Sequence, residues 1–300
     1  MRLLPLFAVP TALSCGLLAF AQPTPGAPRS RSTTQDQATL VAVRAAHHAD
    51  FDRVVFEFDG PLPAERDVRY VPEVIGDPSG NPVPLVGDAF LNVRMAFATG
   101  HDDSGDTTYG APRRTYPLPN VIQVVNAGDF EGVLNFGIGV ARQSPVRLSV
   151  LTGPSRVVID IDTPFRTVPA QAFFLDVARF EAATEPYTRA VSRPVIPPAT
   201  AHGALQRLFA GPTESELAQR LAFVDSDATG FTGLAIVDSI ARVRLTGGCS
   251  SHGSTFSIAE EITRTLKQFP SVHWVKIYDP AGHTERPDGA VDSIPECLEP

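Results

Sequence analysis

Apolar and polar positions alternate through the first half of the chain. In Arg53-Val-Val-Phe-Glu-Phe58, Val54, Phe56 and Phe58 fall on one side, against Val55 and Glu57 on the other. That is the period of a half-buried strand. Asp59-Gly-Pro61 closes it. Similar short strands are expected at Leu40–Val43, Val68–Val71, Val121–Val125, Gly132–Val140, Val146–Leu151 and Arg156–Ile161. The last two join as a hairpin through Thr152-Gly-Pro-Ser155. Pro72 to Pro84 reads as an edge or a loop, because proline cannot donate to a strand ladder. Short strands punctuated by Gly, Pro and Asp predict an all-β, sandwich-like domain over residues 38–165.

The period changes after Thr163. Ala172–Val177 reads as a strand, and Thr200–Ala210 as a helix with Leu205, Leu208 and Phe209 on one stripe, stopped by Gly211-Pro212. A short helical turn is expected at Ser215–Leu221. Gly233–Val237 and Ala241–Leu245 form a hairpin that turns at Asp238-Ser239. Ser257 and Glu260 have capping-box spacing at the head of a helix that buries Ile258, Ile262 and Leu266 and runs to about Gln268. Pro270 ends that helix, and Val272–Tyr278 returns as a strand. The fold class is mixed: a β sandwich followed by a small α/β (α+β) domain over residues 170–300.

Charge narrows the partners. The formal net charge is -8, and Lys267 and Lys276 are the only lysines. Such a chain is not built to displace the counterions of nucleic acid, nor to adsorb to anionic lipid by charge. Residues 1–21 read as a secretory signal: Arg2, an apolar run broken by Pro5 and Pro10, and Ala19-Phe-Ala21 before Gln22. A second reading takes Ala12-Leu-Ser-Cys15 as a lipoprotein box, with Cys15 lipidated. The product is then either secreted or held by a lipid anchor at the outer face of the membrane. Gln22–Gln37, rich in Pro, Ser and Thr, reads as a flexible linker. The exported chain keeps Cys249 and Cys297, which are expected to pair and to tie the C-terminal tail down.

No complete catalytic constellation is legible, and no catalytic, cofactor or metal residue is assigned. Gly247-Gly-Cys-Ser-Ser-His-Gly-Ser254 lacks the frame of a nucleophile elbow. His47 and His48 are adjacent on a strand and point to opposite faces. His101-Asp-Asp103 with Asp106 lacks the spacing of a calcium loop. Gly137-Ile-Gly-Val-Ala-Arg142 has Arg142 where a dinucleotide fingerprint needs its third glycine, and it sits in a β pattern. The best surface candidate for ligand binding is Arg113 and Arg114 beside Tyr109 and Tyr116. Arginine and tyrosine together suit carboxylate or glycan contacts.

Asp50-Phe-Asp-Arg-Val-Val-Phe-Glu-Phe58 and the closing Leu148–Ile161 hairpin resemble the AMIN and AMIN-like families, over roughly Ala38 to Thr163. The resemblance implies a sandwich that targets envelope proteins to the cell wall or septum. The stretch from Pro72 to Pro119 departs from the compact pattern as a long insert. Arg189–Arg193, Leu208-Phe-Ala-Gly-Pro-Thr-Glu214, Thr263-Arg-Thr-Leu-Lys-Gln-Phe-Pro270 and Val275-Lys-Ile277 are similar to the sporulation and spore germination (GerMN) family, over about Ala170 to Pro280. That family occurs in exported or lipid-anchored envelope proteins and brings no catalytic residues. The Gly247-Gly-Cys249 segment and the tail to Cys297 depart from it. The expectation is a non-enzymatic envelope protein that binds peptidoglycan, another wall glycan or a wall-associated protein, with a tie to sporulation, germination or wall regulation. Its alternatives are an accessory regulator of a wall hydrolase or sensor kinase, and a wall hydrolase itself.

Overall fold

Strands with one apolar side must bury it, and those of the first half of this chain bury theirs against each other. The computed structural model describes residues 37–300, which belong to one compact unit. The signal, linker and Cys15 lipidation readings lie outside the described residues, apart from Gln37. In chain order the strands are β1 (Ala38–His47), β2 (Phe51–Asp59), β3 (Glu65–Val71), β4 (Ala89–Ala96), β5 (Ala98–Thr99), β6 (Arg113–Thr115), β7 (Val121–Phe130), β8 (Val133–Val140), β9 (Val146–Leu151) and β10 (Ser155–Asp162). They form two five-stranded sheets, ordered β5-β1-β2-β10-β9 and β3-β4-β8-β7-β6. Leu40, Phe56, Phe58 and Ile159 of the first meet Leu91, Val93, Met95 and Phe136 of the second in one core.

The stretch from Pro72 to Pro119 is not a simple insert. It contains β4, a strand that pairs on both sides, with β3 and β8. Leu91, Val93 and Met95 alternate inward along it, a period-two signal that the surrounding prolines mask. Gly137 and Gly139 lie on β8, where a Cβ at Gly139 would stand 2.0 Å from the carbonyl oxygen of Val86. Glycine here lets the 83–86 segment lie directly on the sheet.

The second half adds β11 (Val168–Asp176), α1 (Val177–Glu181), β12 (Thr188–Val195), α2 (Thr200–Phe209), α3 (Glu214–Ala218), β13 (Leu221–Ala222), β14 (Ala228–Val237), β15 (Ile240–Gly247), α4 (Ile258–Lys267) and β16 (Trp274–Tyr278). They make two three-stranded sheets, β12-β11-β13 and β14-β15-β16, around a second core of Phe174, Leu205, Leu208, Ile262 and Leu266. β12 carries buried Arg193 and Pro194 in a mixed pattern, so no strand was expected there. The β14–β15 hairpin turns at Asp238 and Ser239, both with positive φ (51° and 60°), as a two-residue turn of this kind requires. The Ser257 side chain makes no cap bond; the capping box is at Thr213 and Glu216 instead.

α4 does work that a strand would otherwise do. β13 covers only the end of β11, leaving the amides of Gln171, Phe173 and Leu175 facing the helix. Three side chains on one face of α4 and its C-cap accept them: Gln268 Oε1 at 2.7 Å, Thr265 Oγ1 at 3.1 Å and Glu261 Oε1 at 2.9 Å. Glu261 Oε2 also accepts from Val224 N at 3.1 Å. Burial outweighs those two bonds and pushes the Glu261 carboxyl up to about 8.

Cys249 and Cys297 are joined by a disulfide across 48 residues. The tail it holds runs beside β16, where Ile277 N donates to Ser293 O and Ser293 N to Val275 O. Lys276 is buried beneath it, with Nζ donating to the carbonyls of Arg286 and Asp288.

Candidate functional site

α2 is covered on both faces. Leu205, Leu208 and Phe209 enter the second core, while Gln206 and Arg207 turn to the sandwich. Arg207 is 1% exposed. Its guanidinium donates to the carbonyls of Leu118 (2.7 Å), Tyr116 (3.2 Å), Pro119 (3.2 Å) and Val121 (3.4 Å). Desolvation, with Arg193 nearby, lowers its pKa to about 9. Asp52, fully buried, takes the amides of Asn120 (2.6 Å) and Val121 (2.8 Å) from the other side. The 116–121 turn is thus clamped between a carboxylate and a guanidinium.

Beside this clamp lies a cleft of about 870 Å³. One wall is β6, the edge strand of its sheet. The other is the end of α2, the Gly211-Pro212 turn and α3. Gly211 has φ 78°, the left-handed backbone that ends a helix most readily as glycine. α3 is fixed by Arg193, whose Nη1 donates to Glu216 Oε1 at 2.8 Å, while Glu216 Oε2 accepts from Thr213 N at 2.8 Å. Burial alone would push the Glu216 carboxyl up, but these bonds hold it below its usual value. Phe209, Phe223, Leu217 and Pro212 make most of the lining apolar. Leu217 is 56% exposed. A second basin of about 530 Å³ continues along the seam and shares Pro84, Val86, Phe209 and Thr229 with the first.

Gln123 ties the floor together. Its Oε1 accepts from Val86 N (3.1 Å) and Arg113 Nη1 (3.3 Å), and its Nε2 donates to Ala210 O (2.8 Å). Thr115 Oγ1 donates to the same carbonyl. The signal for Gln123 in the sequence is one amide inside the apolar run Val121-Ile-Gln-Val-Val125.

Of the four expected ligand-binding residues, the structure brings three to this cleft. Arg113, Arg114 and Tyr116 line it. Arg114 donates to Tyr109 O (2.6 Å) and to Glu214 across the cleft (3.1 Å), and its buried Nε has no partner among the described residues. Burial pushes the Tyr116 hydroxyl up to about 12. Tyr109 is not on the surface: it is 4% exposed, edge-on to Phe136 at 5.5 Å in the sandwich core.

Other chemistry-bearing groups sit apart. His47 Nδ1 lies 2.8 Å from Asp52 Oδ1, so that carboxylate is already engaged. Asp102 is occupied by the amides of Ser104 and Asp106, in a turn. Asp225, Asp227 and His252 place ligand atoms within 4.8 Å of one another, all three exposed. Ser250 Oγ and Asp227 Oδ1 each lie 3.4 Å from the ring of His252.

The sandwich runs from Ala38 to Asp162, and a family model matches the same stretch. Residues 38–163 form an AMIN-like domain. This agrees with the resemblance seen in Asp50–Phe58 and Leu148–Ile161. No curated protein and no solved structure matches the chain, and nothing in the comparisons supports the sporulation and germination family for residues 170–280. The AMIN-like domain suggests a peptidoglycan-associated envelope role in general terms. Among the described residues no helix is long and apolar enough to cross a membrane.

Proposed function

We propose that this protein is a non-enzymatic binding protein of the bacterial cell envelope, exported through its N-terminal segment. Its AMIN-like domain brings it to the wall, and the cleft between that domain and α3 receives a wall polymer or wall-associated partner. The observation that carries this reading is the cleft itself, joined to an AMIN-like domain by a buried arginine clamp. The resemblance of the second half to the sporulation and germination family supports an interaction role for that half. An accessory role beside a wall hydrolase or sensor kinase is the second reading, and the apolar lining of the cleft favours it, since proteins offer apolar side chains more readily than glycans do.

The test is co-sedimentation of the chain from Gln22 onward with insoluble peptidoglycan at near-physiological salt, beside affinity capture from an envelope extract. Retention on the wall, or a stoichiometric envelope partner, is the expected result. A chain that stays in the supernatant and captures nothing is not an envelope binding protein.

A further inference from the structure

The cleft has a strand edge on one side and apolar side chains on the other. Asn126 N donates to Pro112 O and Tyr116 N to Ile122 O. In an antiparallel pair the groups that face the partner strand alternate. Pro112, Arg114 and Tyr116 therefore face β7, and the backbone amides and carbonyls of Arg113 and Thr115 point to the open side. Among the described residues β6 has no neighbour there. An unpaired strand edge beside side-chain pockets is the arrangement that captures an extended peptide by strand addition.

The lining says what kind of peptide. Leu217 stands more than half exposed on α3, facing a groove that also contains Phe223 and Pro212. These contacts suit alternate apolar side chains. Positive charge is placed at one wall only: Arg113 and Arg114 lie on β6, in a protein whose net charge is -8, and the opposite wall carries the carboxylate of Glu214. Among the described residues Arg114 keeps a buried Nε unpartnered, and its one anionic contact is Glu214, whose side chain is 81% exposed. So exposed a carboxylate holds its partner weakly and is easily displaced. Glu214 occupies, at Nη1, the position that an incoming carboxylate would take.

We propose that the cleft binds the C-terminal end of a protein partner: an extended apolar segment that pairs with the open edge of β6 and delivers its terminal carboxylate to Arg114. This rests on the reading of the protein as an envelope binding module.

The probe is a pool of dye-labelled octapeptides whose four C-terminal positions are drawn from Ala, Val, Leu and Ile, made as free acids and as amides. Binding to the chain from Gln22 onward is read by fluorescence polarisation. The acid pool is expected to bind, and the amide pool about tenfold more weakly, as the loss of a charge-assisted contact implies. Arg114→Gln should cause a loss of similar size. Glu214→Gln should tighten binding about threefold by freeing Arg114, and being exposed it leaves the fold intact. Ala218→Trp, also exposed, should fill the groove and abolish binding. Equal binding of acid and amide, no binding of either pool, or no effect of Ala218→Trp overturns the proposal. Binding of soluble muropeptides in place of the pool gives the cleft to the wall polymer and also overturns it. Wall sedimentation is run in parallel. Retention without peptide binding removes this inference alone, whereas failure of sedimentation, extract capture and peptide binding removes the envelope reading with it.

Discussion

Arg207 Nη2 stands 2.7 Å from the carbonyl oxygen of Leu118, reaching from a helix of one core to a turn of the other. Three further carbonyls complete its shell. Arg207→Ala would leave these carbonyls without a donor in a buried seam. The expected loss is about 3–5 kcal/mol. Chemical denaturation followed by separate probes of the two halves should show one transition in the wild type and two in the variant.

Glu261 predicts a pH dependence. Its folded pKa of about 8 lies above the ordinary carboxylate value of 4.5. Between these values the unfolded chain has lost its proton while the folded protein keeps it. Its contribution is therefore full below about pH 4.5 and is lost as pH rises through about 8. Denaturation midpoints measured from pH 5 to 8 should fall with pH in the wild type. Glu261→Gln should be less stable at pH 5, because Gln presents a donor to Val224 N, and should show a shallower slope. A slope unchanged in the variant would assign the pH dependence elsewhere.

Closing a loop of 48 residues by the Cys249–Cys297 disulfide is worth about 4 kcal/mol in the chain-entropy model. Cys297→Ser, or reduction under native conditions, should lower the unfolding midpoint and expose the 286–293 segment to protease. Lys276, now under that segment, should become reactive toward acylating reagents.

Gly139→Ala would drive a Cβ to within 2.0 Å of the Val86 carbonyl. Backbone must move, at a cost of about 1–3 kcal/mol. Val86 lines both basins of the seam, so the same variant should alter whatever binds there. Thermal unfolding and the peptide titration check the two consequences separately.

Where side chains alternate cleanly, the sequence was a sound guide. Val54, Phe56 and Phe58 point inward as their spacing predicts, and α2 and α4 lie within a residue or two of their expected bounds. β4 and β12 were obscured because prolines flank one and a buried arginine interrupts the other. The site was harder to read. Arg113, Arg114 and Tyr116 were visible as a cluster, but their opposite wall lies about a hundred residues away, at Glu214. Arg207 was hidden for a physical reason. The polar stripe of an amphipathic helix normally faces water, and here it faces a second core. Tyr109 misled in the opposite sense: a tyrosine in a loop of Gly and Thr turned out to be a core residue.

The doubly covered helix has a consequence for anyone who wishes to move the AMIN-like domain. Cut out after Thr163, it would carry an unclosed wound: the carbonyls that Arg207 satisfies, and Gln123 without Ala210. In this chain the domain is not a portable tag. What can be transplanted is the whole of residues 37–300, with α2 serving as the inner lining of both parts.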